Sequence, residues 1–72
     1  MPEYICNQYP DDKGRHEIHT STCSYLPNIE NRIPVGTFSN CHEAIRHMEA
    51  KYSNDNFNFD GCYWCSTACH KG

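Results

Sequence analysis

Two strand-like stretches on either side of a polar cluster of turn formers predict a β-hairpin at the start of the chain. Tyr4-Ile5-Cys6-Asn7-Gln8-Tyr9 carries aromatic and β-branched residues, which suit a pleated, half-buried strand. Pro10, Asp11, Asp12, Lys13 and Gly14 follow as a cluster of turn formers. His16-Glu17-Ile18-His19 then reads as the returning strand. Periodicity is lost over residues 20–31, where Pro27 sits among Ser, Thr and Asn, and a loop is expected there. Residues 32–38, Arg-Ile-Pro-Val-Gly-Thr-Phe, return to strand-like composition, but Pro34 has no amide to donate and confines this strand to a sheet edge.

A helical period then takes over. Cys41, Ala44, Ile45, Met48 and Tyr52 fall at i, i+3, i+4, i+7 and i+11 on one face, and Ser39 or Asn40 is suited to cap that helix. Residues 53–61 are polar apart from Phe57 and Phe59, which reads as a loop whose two rings plug the core; its Asp60-Gly61 favours a turn just before Cys62. Residues 62–70 are expected to form a short helix closed by Gly72. Together these elements predict one α+β domain over residues 1–72, with a three-stranded antiparallel sheet, one amphipathic helix and a short C-terminal helix.

Length makes a cross-link necessary. At 72 residues, an apolar core alone seldom supplies more than about 3–5 kcal/mol of net stability. The chain has six cysteines, and they supply either disulfides or metal ligands. Met1-Pro2-Glu3-Tyr4 is not a basic segment leading into an apolar run, so no export signal is read. A cytoplasmic protein with reduced thiols is expected, which favours metal over disulfide. No stretch approaches the roughly 18 apolar residues of a membrane span, and no membrane association is expected.

Charge narrows the partners. The formal net charge is -3, and the six basic residues, Lys13, Arg15, Arg32, Arg46, Lys51 and Lys71, are nowhere adjacent. A polyphosphate surface is usually met by clustered Lys and Arg, so nucleic acid is disfavoured and a protein partner is expected for a monomeric domain.

The chemistry lies in two ligand pairs, His19-x-x-x-Cys23 and Cys62-x-x-Cys65. A tetrahedral zinc site needs four nitrogen and sulfur ligands of this kind, each pair close enough to reach one ion. Around them stand His19-Thr20-Ser21-Thr22-Cys23-Ser24-Tyr25-Leu26-Pro27, then Glu30-Asn31-Arg32-Ile33, Phe38-Ser39 and Glu43-Ala44. This arrangement, over roughly residues 15–70, resembles the Ada-like zinc modules, typified by the N-terminal zinc domain of the Ada DNA-repair protein. The resemblance implies a small sheet with helices around one zinc ion, held at the positions of His19, Cys23, Cys62 and Cys65.

It also implies a departure. In that family the first ligand is the cysteine that accepts a methyl group from a DNA phosphotriester, and here the position is His19. An imidazole whose lone pair is committed to a metal is a poor substitute for a zinc thiolate nucleophile. The sequence therefore reads as a non-catalytic interaction module with one structural zinc. The reading from another class is a DNA-linked role, through DNA recognition or alkyl acceptance by one of the remaining thiolates.

Competing assignments share the same residues. Cys62, Cys65 and Cys69 lie at i, i+3 and i+7, so Cys69 competes with His19 for a ligand place; otherwise Cys69 packs as a buried thiol. Cys41-His42-Glu43 with Cys62-x-x-Cys65 imitates the ligand and general-acid pattern of zinc nucleobase deaminases, but no Pro precedes Cys62, and Cys41 on the apolar helix face reads as a small buried hydrophobe. Tyr63 and Trp64 are expected to cover the metal knuckle from water, ahead of a role as a stacking platform for bases. His16, His42 and His47 read as solvated surface residues. Cys6 reads as facing the sheet core or as a spare thiol.

Overall fold

The computed structural model describes residues 1–11, 13–54 and 57–70. Strands β1 (Glu3–Asn7) and β2 (Arg15–Thr20) form the expected antiparallel hairpin, with Tyr4 opposite Thr20 and Cys6 opposite Ile18. At its tip the Asp11 carboxylate accepts hydrogen bonds from the amides of Lys13 and Arg15, and Gly14 adopts φ of 77°, a conformation that glycine takes without steric cost. Asp12 lies outside the described residues. Strand β3 (Arg32–Thr37) pairs antiparallel with β1 and is the outermost strand on that side, the place where Pro34 is tolerated.

The expected three-stranded antiparallel sheet is corrected by a fourth strand. β4 (Asn58–Gly61) runs parallel to β2, giving the order β3-β1-β2-β4 in a mixed sheet. Asn-Phe-Asp-Gly is a weak strand former by composition, so the pairing with β2, from Arg15↔Asn58 to Ile18↔Gly61, determines its conformation. Phe59 is buried in the core as expected, whereas Phe57 keeps 39% of its surface and packs at the rim against the rings of His16 and Tyr52. Asp55 and Asn56, within the expected loop, lie outside the described residues.

Helix α1 (Cys41–Lys51) is capped by Asn40, whose side chain accepts from the Glu43 amide at 3.0 Å. Cys41, Ala44, Ile45 and Met48 are buried on one face. They pack with Tyr4, Cys6, Ile18, Val35 and Phe59 of the sheet. Each fully buried Ile- or Met-sized side chain contributes about 1.5–3 kcal/mol.

The second expected helix is replaced by turns. A turn follows Cys62 and a single 3-10 turn spans Thr67–Cys69. The Cys62 amide donates to the Ile18 carbonyl at 3.0 Å, which extends the β2–β4 ladder by one residue. Gly61 permits a close approach. A Cβ at this position would sit 2.5 Å from the Ser66 carbonyl oxygen and 2.6 Å from Cys69 Cβ. Asp60 and Gly61 therefore belong to a strand rather than to the expected turn. Gly72, expected as the closing residue, lies outside the described residues with Lys71. Among the described residues no helix is long and apolar enough to cross a membrane.

Candidate metal centre

The two parallel strands deliver both ligand pairs to one end of the sheet. His19 is near the end of β2, and a turn closed by the Cys23 amide on the Thr20 carbonyl, at 3.1 Å, brings Cys23 back toward it. Cys62 directly follows β4, and the turn after it returns Cys65. Because Ile18 pairs with Gly61, the register continued by one residue places Cys62 beside His19 on the same sheet face.

The four side chains meet. One ligand atom from each of His19, Cys23, Cys62 and Cys65 lies within 4.8 Å of all the others, so the group can hold a metal ion. Cys23 Sγ is 3.8 Å from Cys62 Sγ, and Cys65 Sγ is 3.8 Å from His19 Nδ1. Two sulfurs also receive backbone amides, from Thr20 to Cys65 at 3.4 Å and from Tyr25 to Cys23 at 3.5 Å. Hydrogen bonds of this kind favour the charged, thiolate form.

Burial and hydrogen bonding act differently on the three sulfurs. Burial pushes the Cys23 thiol up to about 12, and a hydrogen bond with Cys65 adds to the rise. Burial also raises Cys62. Cys65 moves the other way: burial opposes ionisation, yet hydrogen bonds from Cys23, from Thr20 and from Cys62 hold its thiol below the ordinary range. Cys65 is thus the sulfur whose neighbours most favour the charged form, and a divalent cation would favour that form at all three. Burial lowers the His19 pKa, which keeps the imidazole neutral, the form that ligates metals.

His19 Nε2 is buried and makes no hydrogen bond. Glu17 Oε1 stands 3.5 Å from it. With Nδ1 directed at the sulfurs, this is the outer-shell position in which a carboxylate orients a metal-bound histidine. The same face of the β2–β4 pair carries a second polar group two residues before Cys62, the buried Asp60 carboxylate, which pairs with Arg15 at 3.6 Å and His70 at 3.8 Å.

Several expectations about neighbouring residues need correction. Cys41 and Cys69 are joined in a disulfide, so neither all six thiols are reduced nor is Cys69 placed with His19, Cys23, Cys62 and Cys65. Cys41 is correspondingly separate from Cys62 and Cys65, and the deaminase-like constellation does not assemble. His42 and His47 are exposed as expected. His16, expected at the surface, is 6% exposed, because the strand period puts it on the core face with Ile18; its Nδ1 lies 3.0 Å from the Asn7 carbonyl. Tyr63 and Trp64, expected as covers, keep 53% and 63% of their surface. Trp64 stacks on Tyr25 with centroids 5.3 Å apart, beside Cys23 and Cys65. Cys6 is buried in the core.

In comparisons with known proteins, no family model, no curated protein and no solved structure matches this chain.

Proposed function

We propose that this chain is a zinc-stapled interaction module, of the Ada-like kind that its motifs resemble, whose single closed site at His19, Cys23, Cys62 and Cys65 is structural. The observation that carries the reading is the spacing of the ligand atoms. Zinc-sulfur bonds of about 2.3 Å and zinc-nitrogen bonds of about 2.0–2.1 Å in a tetrahedron require edges of about 3.8 Å between sulfurs and about 3.6 Å between sulfur and nitrogen. The two distances of 3.8 Å fit those edges. Thiolate and imidazole ligands in this geometry suit zinc better than the hard, oxygen-seeking cations.

Four protein ligands leave no coordination position for water or substrate, the mark of a structural rather than catalytic zinc. Imidazole at the position of the methyl-accepting cysteine removes the nucleophile that the resemblance would otherwise supply. The exposed rings of Tyr25, Tyr63 and Trp64 give the module a contact surface of the residue types enriched in protein interfaces. The acidic balance weighs against a polyphosphate partner. The module is assigned to the cytoplasm, where thiolate ligands stay reduced and where the Cys41–Cys69 bond would be held chiefly as two thiols.

Native mass spectrometry with metal analysis tests the site. Wild type isolated with the Cys41–Cys69 bond intact is expected to carry one zinc, and His19→Ala to lose it. Zinc binding by His19→Ala equal to wild type would overturn the ligand set. Incubation with a methyl phosphotriester is expected to leave the mass unchanged, and a methylated cysteine would overturn the non-catalytic assignment.

A further inference from the structure

The chain contains a second group of soft ligands, away from the first. Cys41, His42 and Cys69 each offer an atom within 4.8 Å of the other two. Cys41 opens α1 and Cys69 ends the 3-10 turn, with Cα atoms 6.3 Å apart. His42 follows Cys41 at the helix start and is exposed, so its ring is free to turn toward the sulfurs. Beside Cys69 opens a cavity of about 310 Å³ whose wall includes His42, Arg46, Glu49 and His70.

We infer that reduction of the Cys41–Cys69 disulfide creates a second metal site, in which Cys41, Cys69 and His42 bind a soft divalent cation such as zinc and leave its fourth position open toward the cavity.

The chemistry balances with a dithiol as reductant. The dithiol supplies two electrons and two protons, the S–S bond breaks, the dithiol leaves as its own disulfide, and Cys41 and Cys69 become thiols. Each thiol then gives up its proton as its sulfur takes a metal bond. Disulfide and metal use the same sulfur electrons, so the two states exclude each other. A Cα separation of 6.3 Å leaves two cysteines able to reach one ion without moving α1 from the sheet. The positive end of α1, capped by Asn40, adds to the stability of the Cys41 thiolate.

Three protein ligands and one open place are the arrangement of a zinc that holds water or a small ligand rather than one that only cross-links. Arg46 and Glu49 in the cavity wall put one cationic and one anionic group beside that place. The two sites thus differ in kind: one is closed and permanent, and the other exists only under reducing conditions.

Zinc stoichiometry by native mass spectrometry separates this inference from the structural site. Wild type treated with a dithiol, freed of it and then given zinc is expected to bind two equivalents, and the same protein reoxidised to bind one. His42→Ala alters an exposed side chain and leaves the fold intact; its reduced form is expected to lose the second equivalent only. One equivalent in both redox states, absent from Cys62→Ser, would overturn the second site and leave the first. Two equivalents in reduced Cys41→Ser/Cys69→Ser would also overturn it. One equivalent in reduced wild type that persists in Cys62→Ser and disappears in Cys41→Ser/Cys69→Ser would support the second site and overturn the first.

Discussion

The two cysteine clusters solve the same problem by different chemistry. Cys41 and Cys69 join the start of α1 to the last turn through an apolar contact zone, both sulfurs buried against the helix side of the sheet. Cys23, Cys62 and Cys65 gather with His19 at the ends of two parallel strands, among backbone amides and close to a carboxylate. The difference lies in what surrounds each sulfur. Amide donors and an imidazole surround the sulfurs of the first group, whereas Cys41 and Cys69 lie in the apolar core bonded to each other.

The magnitudes differ as well. A disulfide closing a loop of 28 residues contributes about 3–4 kcal/mol by the chain-entropy account. A structural zinc site contributes on the order of 10–16 kcal/mol of apparent binding free energy that is realised only on folding. The metal should therefore dominate. Exhaustive chelation of oxidised wild type is expected to abolish the near-UV circular dichroism of Trp64 and its neighbours, while reduction with one zinc equivalent retained should shift the urea midpoint by the smaller amount. A fold that survives chelation but melts on reduction would reverse the ranking.

Gly61 sharpens the comparison because it touches both clusters. It precedes Cys62 in sequence and contacts Cys69 in space. Gly61→Ala is expected to cost about 1–3 kcal/mol by overpacking and to weaken zinc binding, since the backbone must move away from Ser66 and Cys69. Urea unfolding together with a zinc competition assay checks both effects; an unchanged zinc affinity would show that the clusters are mechanically independent.

Cys6 provides a control that belongs to neither cluster. Burial pushes its thiol from 9.0 up to about 12. A group whose folded pKa lies above its unfolded value stabilises the fold below the unfolded pKa and ceases to do so as pH rises through the folded one. Wild type should thus lose stability relative to Cys6→Ala as pH increases from 9.0 toward about 12. Thermal melts of the pair across that window give the measurement, and parallel curves would remove the argument. At neutral pH native Cys6 is expected to resist alkylation.

Much of the frame is legible in the residues themselves. The β1–β2 hairpin follows from aromatic and β-branched residues around a turn cluster, the edge position of β3 from Pro34, and α1 from its apolar stripe and the Asn40 cap, because each depends on local stereochemistry. The grouping of His19 and Cys23 with Cys62 and Cys65 also follows from ligand spacing. β4 is different. Asn58, Asp60 and Gly61 carry turn-forming signals, and only the open edge of β2 together with burial of Phe59 makes them a strand. Spacing likewise suggested a helix through Cys62, Cys65 and Cys69, whereas the chain forms turns there and Cys69 is bonded to Cys41 of α1.

The amino-acid order alone thus determined which residues are suited to bind a soft metal and where the hairpin and helix form, since both depend on neighbours within a few positions. Only the tertiary structure decided how the six cysteines are divided: parallel pairing of β4 with β2 carries one pair of knuckles together, and the packing of Gly61 against the last turn places Cys69 beside Cys41. Such choices depend on contacts between residues far apart in the chain, whose closure entropy is offset only when the whole sheet and helix are assembled.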